Sequence, residues 1–196
     1  MGSYKYSYNG VSNPKHAINL NNGRYVVADF GNNRVIELNS TLTTILKNYN
    51  AAINSPVFVD YNEADETLLI TSESLNLVRE ITWSDLGYGV EIWHSTVTLN
   101  SPQSGTYRQG STDVVISNTG DNEVVVYSRD SGLYTTFDHY NLYPNEIATT
   151  HDFDNFYKPF RSYQYRNGDI CVIEREGREL GWEKIESSSS SSSSSS

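Results

Sequence analysis

A nine-residue segment that recurs along the chain decides the fold. It reads YVVADFGNN at residues 25–33, LLITSESLN at 68–76 and VVISNTGDN at 114–122, with a more diverged copy, ICVIEREGR, at 170–178. Each copy starts with an apolar run rich in β-branched residues, which favours a strand, and most continue into the small and amide residues of turns. Another apolar residue follows two positions after every copy: Val35, Val78, Val124 and Leu180. The chain therefore repeats a strand–turn–strand unit.

Prolines mark the same repeat. Pro14, Pro56, Pro102 and Pro159 each precede one copy, at successive spacings of 42, 46 and 57 residues. Units of this length that hold several short strands are typical of β-propeller blades. The predicted repeats are residues 11–53, 54–99, 100–157 and 158–186, in one domain of residues 1–186.

The strand pattern predicts four strands per blade, labelled A to D outward from the propeller axis. Blade one reads as A at 16–20, B at 24–28, C at 34–38 and D at 43–49. Blade four offers only A at 161–165, B at 169–173 and C at 179–185.

The N-terminal residues offer the missing strand. Residues 4–8 read YKYSY, and Tyr8-Asn9 matches Tyr49-Asn50 at the end of blade one. We expect residues 4–8 to complete blade four and close the ring, because pairing removes an open sheet edge. The predicted fold is all-β, a propeller of four four-stranded blades. A truncated ring, or two chains forming one eight-bladed ring, is the alternative.

One stretch resembles a known repeat family. Residues 14–38, PKHAINLNNGRYVVADFGNNRVIEL, resemble an NHL repeat, with its proline, its glycine turn, its Val-Ala-Asp strand and its Gly-Asn-Asn-Arg segment. The other units share the register more than the residues. The resemblance implies four-stranded blades. It implies no particular activity, because the family includes binding modules, scaffolds and enzymes.

The composition limits the classes of partner that the chain is expected to bind. The chain carries 24 acidic and 14 Lys or Arg residues, a net charge of −10, which disfavours nucleic acid and anionic membrane surfaces. No apolar run approaches the ~20 residues of a membrane span, and the N-terminus has no apolar signal segment. Cys171 is the single cysteine, so no internal disulfide forms. The localisation stays unknown. The serine tail, residues 187–196, is expected to be disordered or a linker.

Polar residues at the ends of the B strands are candidate metal ligands. Asp29, Asn118 and Glu174 share this register with Ser72. A ring of such oxygens around the axis suits a hard cation such as calcium. Propeller lactonases of the gluconolactonase type, which this ring resembles, hold a divalent metal with Glu, Asn and Asp. The alternative is that Asp29 and Asn118 accept hydrogen bonds from their own tight turns.

The turns between B and C strands have two further features. Asn33, Asn76 and Asn122 end the turn, where asparagine tolerates left-handed backbone geometry. Gly31 and Gly120 share one turn position, and we expect a positive φ at both, which makes valine costly there.

The longest spacing contains an insertion at residues 140–157, on the face that carries the B–C turns. Its aromatic, acidic and histidine residues suit recognition of a protein or a glycan, or cap blade four. The candidate binding residues are Tyr140, Tyr143, His151, Asp152, Phe153, Asp154, Phe156 and Tyr157.

These patterns favour a non-enzymatic binding or scaffolding propeller over an enzyme. The chain has no nucleophile elbow and no glycine-rich phosphate loop. The expected partner is a protein or a glycan. The chain binds it either alone or as a subunit of a larger assembly, and an oligomer of the chain is compatible with this expectation. The alternative is a metal-dependent hydrolase or lactonase that uses the axial ring.

Overall fold

The structure is a computed structural model that describes residues 7–137, 159–164 and 170–174. These residues form an all-β propeller, as predicted. The helical residues in the described part are two short 3-10 turns, Phe30–Asn32 and Thr119–Asp121. None of the helices described is long and apolar enough to cross a membrane.

Three blades are complete four-stranded antiparallel sheets whose strands lie in chain order. Blade one contains β1 (His16–Asn19), β2 (Tyr25–Asp29), β3 (Arg34–Leu38) and β4 (Ile45–Tyr49). Blade two contains β5 (Pro56–Asn62), β6 (Thr67–Ser72), β7 (Leu77–Trp83) and β8 (Tyr88–His94). Blade three contains β9 (Ser104–Tyr107), β10 (Asp113–Asn118), β11 (Glu123–Ser128) and β12 (Tyr134–Phe137).

Blade four is described as an antiparallel pair, β13 (Pro159–Gln164) and β14 (Ile170–Glu174). Its predicted C strand, residues 4–6 of the predicted closing strand, and the serine tail lie outside the described residues. Tyr8 packs beside Val27, Ile36 and Leu38 of blade one. Because Val26 and Ala28 of the same strand pack toward blade two, Tyr8 lies on the side of blade one that faces away from blade two.

The core consists of layers between neighbouring blades. Val26 and Ala28 of blade one pack with Val59, Leu68 and Ile70 of blade two. Strands covered on both faces read as unbroken apolar runs rather than as alternating patterns. This explains why the B strands of blades one to three contain the apolar runs VVA, LLI and VVI.

Buried glutamates link successive blades. Glu37 on β3 accepts hydrogen bonds from Lys47 Nζ at 2.7 Å and from Trp83 Nε1 of blade two at 2.8 Å. Glu80, at the same register on β7, accepts one from Tyr107 Oη of blade three at 3.1 Å and pairs with Arg129. Satisfied in this way, a buried carboxylate fixes the register between blades.

A cluster of buried hydroxyl groups joins blades three and four. Ser117 Oγ lies 3.0 Å from Ser104 Oγ and 2.9 Å from Ser162 Oγ. Thr106 Oγ1 donates to the Ser162 carbonyl at 2.9 Å. These contacts hold the inner strand of blade four against blade three.

Candidate functional site

Asp29 anchors the turn of blade one. Its Oδ1 accepts a hydrogen bond from the Ser12 backbone N–H at 2.7 Å. Its Oδ2 accepts from Asn32 Nδ2 at 2.8 Å and from Arg34 Nε at 2.7 Å. The side chain is fully buried. Both oxygens therefore serve the protein itself, tying the turn to the connection that enters blade one.

Asn118 has the same position and the same task in blade three. Its Oδ1 accepts from the Asn100 backbone N–H at 2.6 Å. Its Nδ2 donates to Asp121 Oδ2 at 3.0 Å and to Glu123 Oε1 at 2.7 Å. Since an amide can donate, the partner at the start of the C strand is Glu123, whereas Asp29 pairs with Arg34. The geometry is preserved although the charges differ.

The asparagines that end the turns have left-handed backbone geometry, and those of blades one and two contact the connection to the next blade. Asn33, Asn76 and Asn122 have φ angles of 50°, 51° and 57°, so the predicted left-handed geometry is confirmed. Asn33 Oδ1 accepts from the Ser55 N–H at 2.9 Å, and Asn76 Oδ1 accepts from the Ser101 N–H at 2.9 Å. The turn of blade one thus holds both the connection that enters blade one and the connection that leaves it.

The glycines of these turns are needed for a reason other than the one predicted. Gly31 and Gly120 do not have positive φ, so that expectation is wrong. Each backbone N–H instead donates at 2.8 Å to a carbonyl of the entering connection, Ser12 for Gly31 and Asn100 for Gly120. A Cβ on Gly31 would lie 2.8 Å from the Ser12 carbonyl oxygen. Glycine permits this close approach of two backbone segments.

Blade two lacks this arrangement. Ser72 replaces the Asp or Asn, and Ser74 replaces the glycine. Within the described part of the chain, Ser72 Oγ is buried and has no hydrogen-bond partner. The connection is held instead by the Glu73 N–H, which donates to the Ser55 carbonyl at 3.2 Å.

The described contacts do not bring the predicted metal ligands together at one point. Asp29 and Asn118 each serve their own turn, and Glu174 ends β14 opposite Pro159. The side chain of Glu174 lies outside the description. Among the described residues, no group of three or more His, Cys, Asp or Glu side chains is arranged to hold a metal ion. The calcium site stays a prediction.

The eight candidate binding residues of the insertion lie outside the described residues, which stop at 137 and resume at 159. They are Tyr140, Tyr143, His151, Asp152, Phe153, Asp154, Phe156 and Tyr157. Their role in recognition stays a prediction.

The inner strands bring together a cluster that the sequence did not predict. The His16 ring stacks on Phe58, with centroids 3.8 Å apart and an interplanar angle of 14°. Arg161 Cζ lies 5.5 Å from the Phe58 centroid and 5.5 Å from the Phe160 centroid. These residues come from blades one, two and four, so they meet across the inner strands at the turn end of the axis. We call His16, Phe58 and Arg161 the axis mouth.

A register signal for the axis mouth is present in the sequence. His16, Phe58 and Arg161 each lie two residues after the repeat proline, and Ser104 has this position in blade three. Their partners on the B strands, Ala28, Thr71, Ser117 and Ile173, are also equivalent.

Electrostatics keep His16 neutral. Burial, followed by the positive charge of Arg161, lowers the pKa of His16 to about 4. The neutral ring accepts a hydrogen bond at Nδ1 from the Val59 N–H at 3.4 Å. Within the described residues, Arg161 Nε is buried without a hydrogen-bond partner. The axis mouth therefore presents one cation against aromatic and neutral surfaces.

Comparisons with known proteins support the fold alone. No family model matches the chain, and no curated protein matches it. Among solved structures, the WD40 β-propeller domain of Doa1 is 12% identical, with a TM-score of 0.60 over 82% of this chain and 47% of that one. Virginiamycin B lyase from Staphylococcus aureus is 19% identical, with a TM-score of 0.59 over 85% and 50%. Kuenenia stuttgartiensis hydrazine synthase is 12% identical, with a TM-score of 0.62 over 88% and 46%. The chain thus spans about half the length of these structures.

Proposed function

We propose that the chain is a non-enzymatic binding or scaffolding propeller that recognises a protein partner through its turn face. The turn face consists of the B–C turns at 30–33, 73–76 and 119–122 and the connections before the repeat prolines. One observation carries the proposal: the polar side chains of these turns are used to fix the backbone, while the outward residues differ from blade to blade. A fixed frame with variable outward side chains suits recognition.

The outward residues supply mixed chemistry. Lys15 is exposed, and its Nζ lies 4.9 Å from the Phe30 centroid. Leu75 in blade two is 42% exposed, and the neighbouring Ser74 is also exposed. A charged rim with apolar groups is the usual composition of a transient protein interface.

The insertion at 140–157 is the proposed principal contact for the protein or for a glycan. Its aromatic residues, including Phe153, Phe156 and Tyr157, supply contact area, and Asp152 and Asp154 supply hydrogen-bond acceptors. We also propose that blade one is an NHL-type repeat, since the segment that resembles one, residues 14–38, spans β1 to β3.

The alternative function is a metal-dependent hydrolase or lactonase centred on Asp29, Asn118 and Glu174. A lyase among the solved neighbours is consistent with catalysis on this fold. The engagement of both Asp29 oxygens by protein N–H groups weighs against Asp29 as a ligand.

The test compares two matched single variants. Leu75→Asp alters the turn face. Leu86→Asp makes the same charge change at an exposed residue of the opposite face. A partner is first captured with the parent protein and identified by mass spectrometry, and its Kd is then measured for both variants.

We expect the turn-face variant to weaken partner binding at least about tenfold, with the control close to the parent. Equal binding by both variants would contradict the proposal. Loss of glycan-array binding on replacing Phe153, Phe156 and Tyr157 by alanine would indicate a glycan instead. A metal-dependent hydrolysis lost in Glu174→Gln would favour the enzyme.

A further inference from the structure

Arg161 differs from the other arginines of the described part of the chain. Five of the six form an ion pair with an acidic side chain: Arg24, Arg34, Arg79, Arg108 and Arg129. No described carboxylate forms an ion pair with Arg161. In a protein with 24 acidic and 14 Lys or Arg residues, carboxylates are abundant, so an arginine that pairs with none among the described residues stands out.

The surroundings of Arg161 make an anion favourable there. Its guanidinium lies 5.5 Å from the ring centroids of both Phe58 and Phe160. The buried Nε has no acceptor among the described residues. Rings stabilise a cation but accept no conventional hydrogen bond, so a buried donor stays unsatisfied. Arg161 as a whole is only partly buried, so a ligand can reach it.

We propose that the axis mouth binds a carboxylate through Arg161, with the stacked rings of Phe58 and His16 forming its floor. A guanidinium presents a planar fork of N–H donors that matches the two oxygens of a carboxylate. The proposed site uses Arg161 rather than Asp29, Asn118 and Glu174, and it takes an anion where those residues were expected to take a cation.

The charge of the site favours a carboxylate over a phosphate. His16 is neutral at pH 7, so the axis mouth carries a single positive charge. One carboxylate balances it, whereas a phosphate dianion leaves an excess negative charge inside a protein of net charge −10. The charge argument does not distinguish a free small acid from an acidic side chain of a partner protein, because both present the same carboxylate group.

His16 is the built-in reporter of occupancy. The charge of Arg161 contributes to the low pKa of the His16 imidazole. A bound carboxylate offsets that charge, so it raises the pKa of His16 and shifts its ring resonances.

The experiment is an NMR titration of the whole chain with sodium acetate, using sodium chloride at equal ionic strength as the reference. We expect a saturable shift of the His16 ring proton with acetate and none with chloride. Arg161→Gln removes the saturable shift, and Arg161→Lys weakens it because an ammonium lacks the planar fork. Arg108→Gln, at a partly exposed arginine paired with Asp113 and outside the axis mouth, leaves the shift unchanged.

The outcomes separate the proposal from its competitors. The absence of a saturable acetate shift in the parent protein overturns it, and so does an unchanged dissociation constant in Arg161→Gln. Tighter binding of phosphate than of acetate also overturns the carboxylate assignment. Free glutamate and a blocked pentapeptide with one central Glu serve as further probes: tighter binding of the peptide identifies a partner's side chain, and tighter binding of the free acid identifies a small molecule.

Discussion

The turn face and the axis mouth differ in whether their buried polar groups have hydrogen-bond partners within the protein. In the turns, Asp29 and Asn118 satisfy backbone N–H groups of Ser12 and Asn100. At the axis mouth, Arg161 Nε has no partner among the described residues and His16 is held neutral. Both regions come from the same repeat register, a few residues apart in each blade.

This difference in hydrogen bonding separates polar residues that stabilise the fold from polar residues that can bind a ligand. A buried polar group whose bonds are all made within the protein stabilises the fold and has nothing left to offer a ligand. A donor left unsatisfied within the protein costs stability, and a ligand that supplies an acceptor relieves that cost. Changes in the turns should therefore lower stability, whereas changes at the axis mouth should alter titration and binding while the fold persists.

The largest expected effect is that of Gly31→Val. The added Cβ would lie 2.8 Å from the Ser12 carbonyl oxygen, a backbone atom that cannot swing aside. Overpacking of this kind costs about 2–3 kcal/mol of unfolding free energy, measured by urea denaturation. Gly120→Val should cost less, because its Cβ meets the Asn100 side chain, whose Oδ1 lies 2.6 Å away and can rotate.

Ser74→Val is the control, since this position in blade two is exposed and already carries a Cβ. It should change the unfolding free energy by no more than about 0.5 kcal/mol. A loss at Ser74 equal to that at Gly31 would contradict the close-approach explanation.

Asp29→Ala should have the next largest effect. It leaves the Ser12 N–H and the Arg34 Nε–H without their shared carboxylate acceptor, which is fully buried. Such unsatisfied groups cost about 2 kcal/mol, read from thermal or urea unfolding. Asp29→Asn should recover part of the loss, because Asn118 performs the equivalent task in blade three. If Asp29→Asn is as destabilising as Asp29→Ala, the ion pair with Arg34 rather than the hydrogen bond from the Ser12 N–H provides the stability.

The blades were predictable from the sequence because their determinants are local. Alternation, turn residues and the repeat prolines lie within each unit, so the predicted C strand of blade one, residues 34–38, coincides with β3. The role of Gly31 was not predictable in this way. Its contact, Ser12, lies in the preceding connection, and a turn glycine looks the same whether φ or close approach requires it.

The axis mouth was hidden for a different reason. His16, Phe58 and Arg161 are three different residue types far apart in the sequence, so no sequence motif joins them. They meet only because the inner strands of several blades converge. Their shared distance from the repeat proline was the one available signal, and it indicates a position without indicating a purpose.

The titration of His16 tests the axis side of the comparison. Its folded pKa of about 4 lies below the ordinary value of 6.5, so between these pH values the unfolded chain binds more protons. The unfolding free energy should therefore fall as pH drops from 6.5 to 4. His16→Phe, which retains a ring for stacking, should make this pH dependence shallower. In NMR, Arg161→Gln should move the His16 midpoint upward, and an unmoved midpoint would remove Arg161 from the explanation.

The smallest expected effect is a gain in blade two from Ser72→Asn combined with Ser74→Gly. The pair recreates the amide and the glycine of blade three, so the new amide oxygen can accept the Asn54 N–H as Asn118 accepts that of Asn100. One added hydrogen bond contributes about 1 kcal/mol, partly offset by the backbone entropy of the new glycine. Ser74→Gly alone lacks the bond and should be slightly destabilising, which makes it the control. Because Ser72 is nearly fully buried, the longer side chain must turn toward the connection to fit. A double variant less stable than Ser74→Gly would show that the connection into blade two has a different backbone geometry. The hydrogen-bonded turn arrangement would then be specific to blades one and three.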